Sequence, residues 1–86
     1  MSAPLKAGEA SGEALRFEGG VLHVVLDRAF APGKPTDLQL TLGGDTLSLR
    51  GKSLGSKRRE DDRFDVRLRM LSLRKGERAA LAALAI

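Results

Sequence analysis

The chain has 86 residues, 30% of them charged and 42% apolar, which fits one small globular domain and argues against a disordered segment. It has no cysteine, tryptophan or tyrosine and a single histidine, His23, so disulfides, thiolate metal sites and multi-histidine metal centres are excluded. Net charge is +4 but unevenly spread: residues 1–45 carry four basic and six acidic side chains, residues 46–86 eleven and five. Ten of the fifteen basic residues are arginine, which points to an acidic partner surface or a phosphate-bearing ligand.

Residues 1–14 are small and polar with no apolar period and read as a mobile tail, so the folded domain is expected over 15–86. Leu15 to Glu18 alternates, Gly19-Gly20 marks a tight turn, and Val21 to Leu26 is a β-branched and leucine-rich run. Pro32-Gly33 and Pro35 place a loop over residues 27–35. Leu38, Leu40 and Leu42 alternate with polar residues, Gly43-Gly44 turns the chain, and Leu47 and Leu49 continue the alternation. Lys57 to Asp62 reads as a charged connection. Phe64, Val66, Leu68 and Met70 then face one way, with Arg63, Asp65, Arg67 and Arg69 on the other face. From about residue 73 to 86 the period changes and alanine and leucine dominate, which predicts a helix docked through Leu81 and Leu84. The pattern is mostly β, five short strands and one C-terminal helix.

Gly19-Gly20, the run Val21 to Leu26 and the loop Asp27-Arg28-Ala29-Phe30-Ala31-Pro32-Gly33 together resemble the centre of a PilZ domain. The segments Thr36 to Leu42, Leu47 to Gly51, and Phe64 to Leu73 with the closing helix follow in that family's order, so the resemblance covers about residues 19–85. It implies a small antiparallel β-barrel or, with the first strands missing, a half-barrel with edges that need cover. It also implies cyclic di-GMP as a ligand, held by an Arg-x-x-x-Arg segment and an Asp/Asn-x-Ser-x-x-Gly turn. This chain departs from both. With Gly20 as the final glycine, Leu15 stands at the Asp/Asn position and Phe17 at the Ser position, and residues 1–14 contain no arginine. Neither leucine nor phenylalanine offers a hydrogen bond to a base.

Three functions follow as expectations. The first is a non-enzymatic, cytoplasmic PilZ-like adaptor of bacterial signalling or motility, acting through a protein partner or as a homo-oligomer, without cyclic di-GMP. The second is a cyclic di-GMP receptor using a relocated cluster, Arg58, Arg59 and Arg63. The third is a basic barrel that binds nucleic acid, against which stands the scarcity of aromatic stacking platforms. The candidate ligand or partner surface is Arg58, Arg59, Arg63, Arg67 and Arg69, of which Arg63, Arg67 and Arg69 form an outward row on one strand. No catalytic residues, cofactor or metal are expected, because His23 has no serine or carboxylate beside it in sequence. No apolar run reaches the length of a membrane span.

Overall fold

The structure, a computed structural model, describes residues 3–71 and 73–82. Six strands precede one helix: β1 Ala3–Ala7, β2 Ala10–Glu18, β3 Val21–Leu26, β4 Pro35–Leu42, β5 Asp45–Arg58, β6 Phe64–Leu71 and α1 Lys75–Ala82. Neighbouring strands are antiparallel in the order β1-β2-β3-β6-β5-β4, and β1 pairs with β4 to close the barrel. The mostly β fold with a C-terminal helix is therefore present in its closed form. The half-barrel expectation fails, and with it the case for a second copy covering open edges.

The correction begins at the N-terminus. Residues 3–14 are not a tail but strand β1 and most of β2, paired from Ala3↔Ala14 to Ala7↔Ala10. Ala3, Leu5 and Ala7 are buried while Pro4 and Lys6 are exposed, so the strand period of two is obeyed. Alanine has weak strand propensity and little surface to bury, so the pattern carries almost no hydrophobic signal. Inside a narrow six-stranded barrel small side chains are what fit, and Ala10, Gly12 and Ala14 continue the same lining along β2.

Opposite this small-residue wall, Leu22, Val24, Leu26, Leu38, Leu40, Leu49, Val66, Leu68 and Met70 supply most of the core volume. Leu42, Leu47 and Phe64, expected inside, are half-buried at its margin. Two glycine pairs, Gly19-Gly20 and Gly43-Gly44, have positive φ at both positions, the geometry of a type I′ hairpin turn between twisted strands. Both turns were legible in the sequence. Strand β5 is longer than expected and runs through Arg58, which takes Lys57 and Arg58 out of the charged connection. Its second half passes the end of β4, where the loop before β4 pairs with it instead: the Gly33 N–H donates to the Ser53 carbonyl and the Ser53 N–H to the Lys34 carbonyl.

Each end of the barrel has its own plug. At one end Phe30 is buried, and its backbone exchanges hydrogen bonds with the hydroxyls of Ser53 and Ser56. Asp27 accepts from both the N–H and the hydroxyl of Ser11, and Arg28 pairs with Glu9 in the turn of the first hairpin. The Asp-Arg-x-Phe-x-Pro-Gly loop thus has a structural role. At the other end α1 docks the fully buried Leu81 against the barrel near β2. Glu77 accepts from the Arg74 N–H, which offsets the unfavourable basic start of the helix. The helix spans 75–82, not 73–86: Leu73 packs on the core ahead of it, and 83–86, including Leu84, lie outside the described residues.

Candidate functional site

The five arginines singled out in the sequence separate into two groups. Arg58, Arg59 and Arg63 lie at the β5–β6 hairpin. There Arg58 pairs with Asp62, and Arg59 pairs with Asp65 at 2.7 Å and Asp61 at 3.6 Å. The hydrogen bond to Asp65, and its charge, hold the Arg59 guanidinium even more firmly protonated than usual. Arg63 closes the loop through its backbone, its carbonyl accepting from Arg59 N–H and its own N–H donating to Asp61. Asp62 takes the positive φ of 64° that this short loop requires. The charges of Arg58 and Arg59 are thus used in holding the hairpin together, while Arg63 contributes its backbone and its guanidinium pairs with no described carboxylate.

Arg67 and Arg69 behave differently. Both are exposed on the outer face of β6, and no carboxylate of the described residues lies within ion-pair distance of either. The barrel sets further cations beside them that are distant in sequence. Arg67 is the direct cross-strand partner of His23, which in turn faces Arg16 on β2. Arg69 faces Lys52 on β5. Like charges placed directly opposite on a sheet repel. Of the nearby carboxylates, Asp65 is engaged by Arg59, while Glu18 pairs with Arg16 at 3.9 Å and balances part of the row's own charge.

His23 feels this surrounding. Its pKa lies below the ordinary value, first because it is partly buried and then because Arg16 and Arg67 oppose a third positive charge; Glu18 partly offsets them. This surrounding favours the neutral imidazole over the imidazolium.

Two bulges frame the same row. In β2 the pairing steps from Ala14↔Val24 to Arg16↔His23, so Leu15 and Arg16 together oppose His23. In β5 it steps from Ser53↔Leu68 to Gly55↔Arg67, so Leu54 and Gly55 together oppose Arg67. The outer row across four strands is thus Leu15 and Arg16, His23, Arg67, then Leu54 and Gly55. Leu15 and Leu54, 37% and 39% exposed, are the large apolar side chains left open to solvent among the described residues. A shallow groove of about 560 Å³ runs from Leu15 along this row to Gly55, short of Leu54, with Arg16, His23, Lys57, Arg67 and one carboxylate, Asp65, in its lining.

Such a surface can attract an anion and seat an apolar side chain. His23 has Arg67 and Arg16 as its cross-strand partners, with Glu18 also near enough to act on it, and among the described residues no cluster of three or more His, Asp or Glu could hold a metal ion. No described helix is long and apolar enough to cross a membrane. The sequence reading missed Leu15, Arg16, Lys52 and Leu54 as site residues. Barrel register brings them together, and no local motif marks it. Compared with known proteins, the chain matches no family model, no curated protein and no solved structure.

Proposed function

We propose that the chain is a PilZ-like adaptor of bacterial signalling or motility: a non-enzymatic cytoplasmic binding module that works through protein–protein contact and without cyclic di-GMP. The observation that carries this reading is the outer face of β2, β3, β6 and β5, where Arg16, His23, Arg67, Arg69 and Lys52 stand side by side and two leucines stand exposed. Fixed positive charge beside exposed apolar surface favours an acidic protein partner. A closed antiparallel barrel with a C-terminal helix agrees with the family resemblance at the level of fold class. Against the nucleotide, Leu15 and Phe17 replace the acceptors of the usual turn, Phe17 is buried in the core, and Arg58 and Arg59 are already paired with carboxylates.

The test is site-specific photo-crosslinking in bacterial cells, with the reactive residue at position 69 or, on the opposite face, at position 39. A discrete protein adduct at 69 that is missing at 39 and lost in Arg16→Glu/Arg67→Glu is expected. Equal labelling at both positions, or saturable calorimetric binding of cyclic di-GMP to the purified protein, overturns the reading.

A further inference from the structure

Two bulges in different strands end one row of the sheet, and each turns a leucine outward. Bulges re-aim side chains, and this pair places Leu15 and Leu54 at opposite ends of a cationic centre. From β2 to β5 the row crosses three strand spacings, roughly 14 Å along the sheet. Between the leucines lie Arg16, His23 and Arg67 in that order. Gly55, beside Leu54, adds no side chain, which leaves the bay next to Arg67 open.

Resting on the adaptor reading, we propose that this row docks an extended acidic segment of a partner protein. The segment lies across the strands, with apolar residues four apart seated against Leu15 and Leu54 and a carboxylate midway between them on Arg67, His23 and Arg16. The spacing sets the pattern. In an extended chain, residues i and i+4 share a face and lie roughly 13 Å apart, close to the roughly 14 Å backbone path from β2 to β5, and i+2 falls over the cationic centre. Arginine presents a fork suited to a carboxylate.

A nucleic acid fits less well. Phe17 and Phe30 are buried and Phe64 is half-buried, so the face offers no ring on which a base can stack, and the leucines have no counterpart on a phosphate backbone. A second copy of this chain fits less well too. The opposite outer face, with Lys6, Asp37, Gln39, Thr41, Thr46 and Ser48, is polar; Asp37 there is paired with Arg50, and no apolar residues alternate with it.

The experiment is a titration of the isotope-labelled 86-residue protein, followed through its backbone amide resonances. The probe is an end-capped nine-residue peptide with leucine at positions three and seven, glutamate at five and serine elsewhere. Saturable shifts confined to the amides of Leu15, Arg16, His23, Leu54, Gly55 and Arg67 are expected. Replacing both leucines by serine, or the glutamate by glutamine, weakens binding about tenfold in each case. Leu54→Ser, at an exposed position, weakens it without loss of fold.

Equal affinity for the leucine-free peptide overturns the proposal and leaves a general basic face, with the adaptor reading intact if position 69 still cross-links. Absence of shifts with any peptide also overturns it. Tighter binding of oligothymidine at the same amides overturns both readings in favour of nucleic acid.

Discussion

Gly12 of β2 lies so close to Val25 of β3 that a β-carbon on it would overlap the Val25 carbonyl oxygen. The contact sits at an inward position between Ala10 and Ala14, opposite a stretch of β3 where Val24, Val25 and Leu26 are all buried, a close backbone approach of the kind that glycine permits. The obstacle is backbone, so no side-chain rotation relieves it. Gly12→Ala is expected to cost about 3 kcal/mol or more. Gly51→Ala meets chiefly the terminal methyl of Met70, which can swing aside, and is expected to cost about 1 kcal/mol. Urea unfolding of the two variants beside the wild type checks the contrast; equal losses would mean that the β2–β3 backbone can relax.

Thr36 presents the opposite case, a polar atom the barrel does not use. Its hydroxyl is buried, and no described group accepts or donates a hydrogen bond to it. A buried unsatisfied group costs about 1–3 kcal/mol. Thr36→Val keeps the shape and removes the hydroxyl, so a gain of about 1 kcal/mol is expected, read as a higher urea midpoint at unchanged slope. A loss of stability would show that the hydroxyl has a partner in solution.

These two positions also show what the sequence carries and what it hides. Turns and alternating leucines are local signals, and the glycine pairs and the strands from Val21 to Leu49 follow from them. Strand β1 is written in alanine, whose burial depends on the strands that close around it, so its local signal is faint. The candidate site is less legible still. Arg67 and Arg69 announce themselves as an outward row, but Lys52 and Arg16 join them only through register. Leu15 and Leu54 face out because one extra residue in each strand shifts the period, and neither shift is visible before the partner strand is known.

His23 should make the fold sensitive to pH with a defined sign. Its pKa in the folded state lies below the ordinary 6.5, with Arg16 and Glu18 facing it from β2 and Arg67 from β6. As pH falls through about 6.5, the unfolded chain takes up the proton before the folded one, so stability declines until the folded state protonates too, and then levels off. Unfolding midpoints at pH 7.5 and 5.5 are expected to differ more in the wild type than in His23→Gln. An identical pH dependence in both would mean that the burial and the two arginines do not reach the imidazole in solution. Docking of an acidic segment acts in the other direction, because it rewards the protonated imidazole. Peptide affinity should rise over the same pH range, and His23→Gln should flatten that rise.

The Arg69 and Lys52 pair links stability to binding most directly. The two face each other across β6 and β5 with no carboxylate of the described residues on either. Two positive charges in that relation cost stability, and an opposite pair in the same place contributes roughly 0.2–1 kcal/mol. Lys52→Glu is therefore expected to raise stability by about 0.5–1 kcal/mol at low salt and by less at high salt, since the position is exposed. The same change removes one cation and adds one anion beside the row that attracts the partner. Binding of the acidic peptide should weaken, and its salt dependence should shrink. A protein that becomes more stable while losing affinity has kept like charges together for its ligand. If Lys52→Glu leaves peptide affinity unchanged, the binding face ends at Arg67 and does not extend to the Arg69 rung.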